Sequence, residues 1–167
     1  MFWSGIWLTQ SINENGITID LPDLPASSNK SIIRVLHVDD DPSILEMLKL
    51  MMLDMNGNFE IDNACSVNEG LSKLKARNYD VVISDYEMPK KDGLWFLKEL
   101  REQKNDIPFM LLTGKGREEV AIKALNLGAD GYHNKQGSPE TVFGELSHSI
   151  NLAVEKRKTK RALEEAQ

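Results

Sequence analysis

A single cysteine, Cys65, stands in the whole sequence, which excludes an intrachain disulfide and a cysteine-rich zinc site. A lone thiol fits a reducing compartment. Positive charge is in deficit as well. Against 26 Asp and Glu there are 20 Lys and Arg, and the formal net charge of −6 argues against a nonspecific grip on nucleic acid or on an anionic membrane. No window reaches the roughly 18 apolar residues of a membrane span. The opening MFWSGIWLTQ lacks the basic start of a secretory signal and soon turns polar. The three histidines, His37, His133 and His148, have no metal-ligand spacing and read as ordinary surface or strand residues. Gly114-Lys115-Gly116 is not followed by the Ser or Thr that a nucleotide phosphate loop requires. No long internal repeat is visible. The expectation is a soluble protein of the cytoplasm, bound neither to membrane nor to nucleic acid.

What is present is a regular alternation. With 41% hydrophobic and 28% charged residues, the composition suits one globular domain with extra length at its ends. Residues 1–30 are irregular, carry Pro22, Pro25 and a polar ASSNK run, and read as an extension or linker. Trp3 and Trp7 lie there, either docked on something or simply in a loose terminus. Periodicity begins at Ser31. SIIRVLHV, FEIDNA, DVVIS, IPFMLLT and ADGYH read as strands, mostly short apolar or β-branched runs.

Between the strands lie helical patterns. Pro42 begins the first, with Ile44, Leu45, Leu48 and Met52 on one face and Asp41 as its N-cap. Ser66 and Glu69 have capping-box spacing ahead of a Val67, Leu71, Leu74 stripe. Leu94, Leu97 and Leu100 mark the third helix, Gly128 closes the fourth, and Ser138-Pro139 opens the fifth. Five β-then-α units predict an α/β fold, a five-stranded parallel sheet doubly wound with helices on both faces. The domain is expected over residues 31–153, with 154–167 a charged helical extension or linker.

In an open parallel sheet, ligands bind beyond the carboxyl ends of the strands. Those ends carry Asp39, Asp40 and Asp41, then Asp85, Thr113, and Lys135 beyond Tyr132. Carboxylates about 4 Å apart repel by roughly 4 kcal/mol per pair at an effective dielectric near 20. Such a cluster needs raised pKa values or a cation, and hard oxygen ligands favour Mg²⁺. Lysine and a threonine hydroxyl supply donors for phosphoryl oxygens, leaving one carboxylate free as nucleophile. The pattern points to metal-assisted acceptance of phosphate on an aspartate.

VDDDP, SDYEMPKKDG, LLTGKG and GYHNK, taken in order on successive strand ends, resemble the CheY-like receiver domains of two-component response regulators. The resemblance covers about residues 31–153 and implies a flavodoxin-like three-layer sandwich. It implies Asp85 as phospho-acceptor, with Mg²⁺ held by Asp39, Asp40, Asp85 and the backbone carbonyl of Glu87. Thr113 and Lys135 would contact the phosphoryl group, and Thr113 with Tyr132 would form the switch. The implied donor is a histidine kinase or a phosphotransfer protein. TGKGREE is similar to receivers attached to archaeal sensor kinases. One departure stands out: the family usually has proline after the lysine, where this chain has Gln136 and Gly137, so a more mobile loop is expected there.

The implied role is a signalling switch rather than a turnover enzyme. Two other readings fit the same residues. One is a hydrolase working through an aspartyl phosphate, with Glu87 as its acid/base. The other is an unphosphorylated interaction module of the same fold. Glu87 and Lys115 are placed either to pair over the site or to stay separately solvated.

Overall fold

The computed structural model describes residues 31–54 and 58–167, so the readings of Trp3, Trp7 and residues 1–30 lie outside the described residues. The chain alternates β1 (Ile33–Val38), α1 (Pro42–Asp54), β2 (Phe59–Ala64), α2 (Val67–Ala76), β3 (Val81–Asp85), α3 (Gly93–Glu102), β4 (Phe109–Thr113), α4 (Glu118–Asn126), β5 (Gly131–Asn134) and α5 (Pro139–Glu165). The five strands form one parallel sheet in the order β2-β1-β3-β4-β5. The expected fold is the one found.

Side chains alternate across a strand, so each strand feeds two cores. Val35, Ile83 and Met110 join Leu48, Met52, Phe143 and Leu146 of α1 and α5 on one face. Leu36, Val82, Phe109 and Leu111 join Phe96, Leu97 and Val120 of α3 and α4 on the other, with Val67 of α2. A Leu or Phe buried in this way contributes about 1.5–3 kcal/mol. The sequence stripe on α2 needs one correction. Val67 is buried but Leu71 and Leu74 are only partly so, and the position nearest the sheet is Gly70. A Cβ at Gly70 would lie 3.0 Å from Val38 Cγ2, so close approach of helix to strand excludes a larger side chain there.

The helix ends follow the sequence signals. Asp41 Oδ1 accepts from Ser43 N–H at 2.9 Å, and Ser138 Oγ accepts from Thr141 N–H. Ser66 Oγ likewise accepts from Glu69 N–H, while the Glu69 carboxylate reaches back one residue farther than in a capping box, to Cys65 N–H. Gly128, at φ +90°, turns the chain out of α4. The last helix runs unbroken from Pro139 to Glu165. Beyond its buried Val154, Arg157 and Arg161 reach Asp106 at 2.9 and 3.5 Å, so the start of the charged extension is anchored to the body. Among the described residues, no helix is long and apolar enough to cross a membrane.

His37 is a strand residue, as expected, but it is wholly buried on β1, and neither ring nitrogen has a hydrogen-bond partner. Burial, with Lys135 adding to it, lowers its pKa to about 3. The folded protein therefore keeps His37 neutral while the unfolded chain protonates it below about 6.5, so stability falls with pH between those values. From pH 7 to pH 5 the loss from His37 alone is about 2 kcal/mol. A His37→Leu variant should lose less stability than wild type by about that amount over the same interval, as measured by urea unfolding. Identical losses would show that His37 is not neutral in the folded state.

Candidate functional site

Strand register assembles the site. Val38 pairs with Ser84, which sets the next residues, Asp39 and Asp85, side by side. Asp85 pairs with Leu112 and Thr113 with Asn134, which brings Thr113 and then Lys135 to the same rim. The Lys135 N–H donates to the Thr113 carbonyl at 2.8 Å, extending the last ladder to its useful end. Asp85 also depends on a glycine. A Cβ at Gly93 would collide with the Asp85 carbonyl oxygen and with Leu111, so only glycine lets α3 start this close to the end of β3.

Asp39, Asp40 and Asp85 offer carboxylate oxygens within 4.8 Å of one another. Asp39 and Asp85 are buried and Asp40 is exposed. The Lys135 ammonium binds both buried acids, Asp39 Oδ2 at 2.8 Å and Asp85 Oδ1 at 3.0 Å. Burial pushes the Asp85 carboxyl above its ordinary pKa and Asp39 and Asp40 push the same way, against the pull of Lys135. Burial alone would lower Lys135, but its bonds to Asp39 and Asp85 outweigh this and raise it. Asp39 Oδ1 also accepts from Asp41 N–H at 2.9 Å, which orients its carboxylate. Asp41 itself caps α1 and is not one of the clustered acids.

The remaining candidates sit around this centre. Thr113 is fully buried; its hydroxyl donates to the Lys115 carbonyl at 3.0 Å and accepts from the Lys115 N–H at 3.3 Å. Tyr132 is half-buried against the α3–α4 core, and its hydroxyl meets the backbone of Arg117. Glu87 lines a cleft with Asp40, Tyr86, Met88, Pro89, Asp92 and Arg117. No ion pair joins Glu87 to Lys115; both are exposed, and Lys115 is held through its backbone by Thr113. Arg117 lies within TGKGREE but carries no site signal in the sequence; it enters the cleft through the course of the β4–α4 loop. Nor does the sequence mark a contact at Gln136, whose side-chain amide donates to the Gly114 carbonyl at 3.0 Å, tying the β5–α5 loop to the β4–α4 loop.

Residues 35–147 match the response regulator receiver domain family. The chain belongs to that family. The receiver is 36% identical over 109 residues to the alkaline phosphatase synthesis transcriptional regulatory protein PhoP of Bacillus subtilis, covering 65% of this chain and 45% of that protein. It spans about half the length of the curated relatives it matches. Among solved structures, a response regulator receiver domain protein from Clostridium thermocellum superposes with a TM-score of 0.67 at 32% identity, over 77% of this chain and 98% of that one. The Francisella response regulator 1452 receiver domain gives 0.66 at 31% identity, over 75% and 98%. This is a phospho-acceptor domain of the two-component type.

Three like charges this close should repel in the metal-free protein. Asp40→Asn is therefore expected to raise the urea midpoint in the presence of a chelator, corresponding to a gain in unfolding free energy of up to about 1 kcal/mol for an exposed member of the cluster. Added Mg²⁺ should stabilise wild type more than the variant. A lower midpoint for Asp40→Asn would mean that its carboxylate is favourably paired.

Proposed function

We propose that Asp85 is the residue that accepts the phosphoryl group, from a histidine kinase or phosphotransfer protein, and that the domain is a switch rather than a turnover enzyme. The observation that carries this is the Lys135 ammonium bound to Asp39 and Asp85 together, beside Asp40. Lys135 holds Asp85 Oδ1, while Oδ2 accepts no hydrogen bond from any described residue and is available for attack. In the transfer, an Asp85 oxygen forms a bond to phosphorus as the bond from phosphorus to the donor nitrogen breaks, its electron pair returning to the imidazole.

The three carboxylates offer hard oxygens suited to Mg²⁺, and the Glu87 backbone carbonyl would serve as a further ligand. The metal would offset the negative charge gathered at the phosphoryl oxygens. Lys135 can shift from carboxylate to phosphoryl oxygen with little movement. Thr113 can follow by giving up its bond to the Lys115 carbonyl. That exchange would loosen the β4–α4 loop, and Tyr132, bonded to Arg117 of the same loop, would respond. Residues 31–153 are the receiver unit in this reading, with 1–30 and 154–167 as attachments. No DNA contact is assigned to it, in keeping with the net charge of −6.

Incubation with acetyl phosphate and Mg²⁺, followed by intact mass, should give one phosphoryl adduct on wild type and none on Asp85→Asn. Continuous phosphate release without an adduct would favour the aspartyl-phosphate hydrolase, and no reaction the inert module. Phosphorylation should also move the amide resonances of Thr113, Tyr132 and α4 together. Changes confined to the neighbours of Asp85 would rule out a coupled switch.

A further inference from the structure

The cleft leading to the acidic centre is lined by Asp40, Glu87 and Asp92 together with one cation, Arg117. Of the other cations nearby, two are committed, while Lys90 and Lys115 are exposed and do not line the cleft. Lys135 is bound to Asp39 and Asp85. Lys91 lies 4.2 Å from the Trp95 ring centroid and 2.9 Å from Asn68 Oδ1. Arg117 is exposed and makes no ion pair among the described residues. Its backbone, by contrast, is held. The Arg117 N–H donates to the Tyr132 hydroxyl at 3.2 Å, and that hydroxyl donates to the Arg117 carbonyl at 3.4 Å. A free guanidinium is thus presented at the cleft from a backbone pinned by the switch tyrosine.

The charge balance says what such a group is for. A divalent cation and Lys135 together offset the three clustered carboxylates, but they do not offset the dianion that must approach them. The incoming donor also passes Glu87 and Asp92. A guanidinium offers a planar fork of donors that matches two phosphoryl oxygens at once. We propose that Arg117 binds the phosphoryl oxygens of the incoming phosphodonor at the mouth of the cleft, and that the Tyr132 hydroxyl holds it in position. This rests on Asp85 being the acceptor and adds to that reading a residue that selects anionic donors. Arg117 contributes to capture of the donor and not to bond making, because the cleft places it beside Asp40 and Glu87 rather than in the Lys135 pair.

The test is the rate of adduct formation with acetyl phosphate in Mg²⁺, followed by mass across a donor titration on the full chain. Arg117→Ala should raise the half-saturating donor concentration about fivefold, as for loss of one exposed charge pair. The saturating rate should stay within about twofold of wild type, since barrier-level contacts are kept. Arg117→Lys, a point charge without the fork, should fall between the two. Tyr132→Phe should shift half-saturation in the same direction as Arg117→Ala, and the double variant should be no worse than Arg117→Ala alone. An unchanged half-saturation in Arg117→Ala, or a loss confined to the saturating rate, would overturn the proposal while leaving Asp85 as acceptor. Failure of wild type to form any adduct would instead remove both.

Discussion

The Lys135 ammonium is the interaction on which the rim depends. It is delivered by an edge strand, β5, yet it binds the β3 carboxylate across β4 and the β1 carboxylate across β4 and β3. It offsets the charge of two buried acids that lie close to a third. The rest of the sheet can be read as the framework that brings this one cation to its place. Register on β4 fixes the height of Lys135, and the tight start of α3 at Gly93 fixes the height of Asp85. Neither could slip by a residue without turning its side chain to the other face.

Alternation divides the site between the two faces of the sheet. Asp39, Asp85 and Lys135 continue the rows of Val35, Ile83 and His133, on the side of α1 and α5. Thr113 and Tyr132 continue the rows of Phe109 and Leu111, on the side of α3 and α4. The acidic centre and the Thr113–Tyr132 row therefore belong to different layers and meet only at the strand ends. The meeting point is Thr113, one residue past Leu112 and already committed to the β4–α4 loop through Lys115. In the proposed switch, this hydroxyl is the short route from the acidic centre to the β4–α4 loop.

Much of this was legible because it is written locally. Asp41, Ser66, Ser138 and Gly128 announce helix ends by spacing within one turn, and the apolar runs announce buried strands by length. The strand ends then collect the acids, the threonine and the lysine by topology alone. What stayed hidden pairs residues far apart without a pattern. Arg157 and Arg161 with Asp106, or Gln136 with Gly114, are single polar contacts between distant positions, and nothing periodic marks them. Gly70 misled for another reason: where a helix comes closest to a sheet the smallest residue is buried most, and a hydrophobic stripe points beside it. His37 looked unexceptional because its oddity is the lack of a partner, which only a packed interior can reveal.

The tether at Gln136 replaces a covalent constraint by a thermal one. A proline ring at that position would fix the backbone angle and could not let go. A neutral hydrogen bond on the surface is worth only about 0.5–1.5 kcal/mol net, a small multiple of thermal energy. On that scale the Gln136–Gly114 bond can open without disturbing the fold. The two loops flanking the acidic centre are thus joined, past the last ladder bond, by a breakable side-chain contact rather than by a fixed backbone angle.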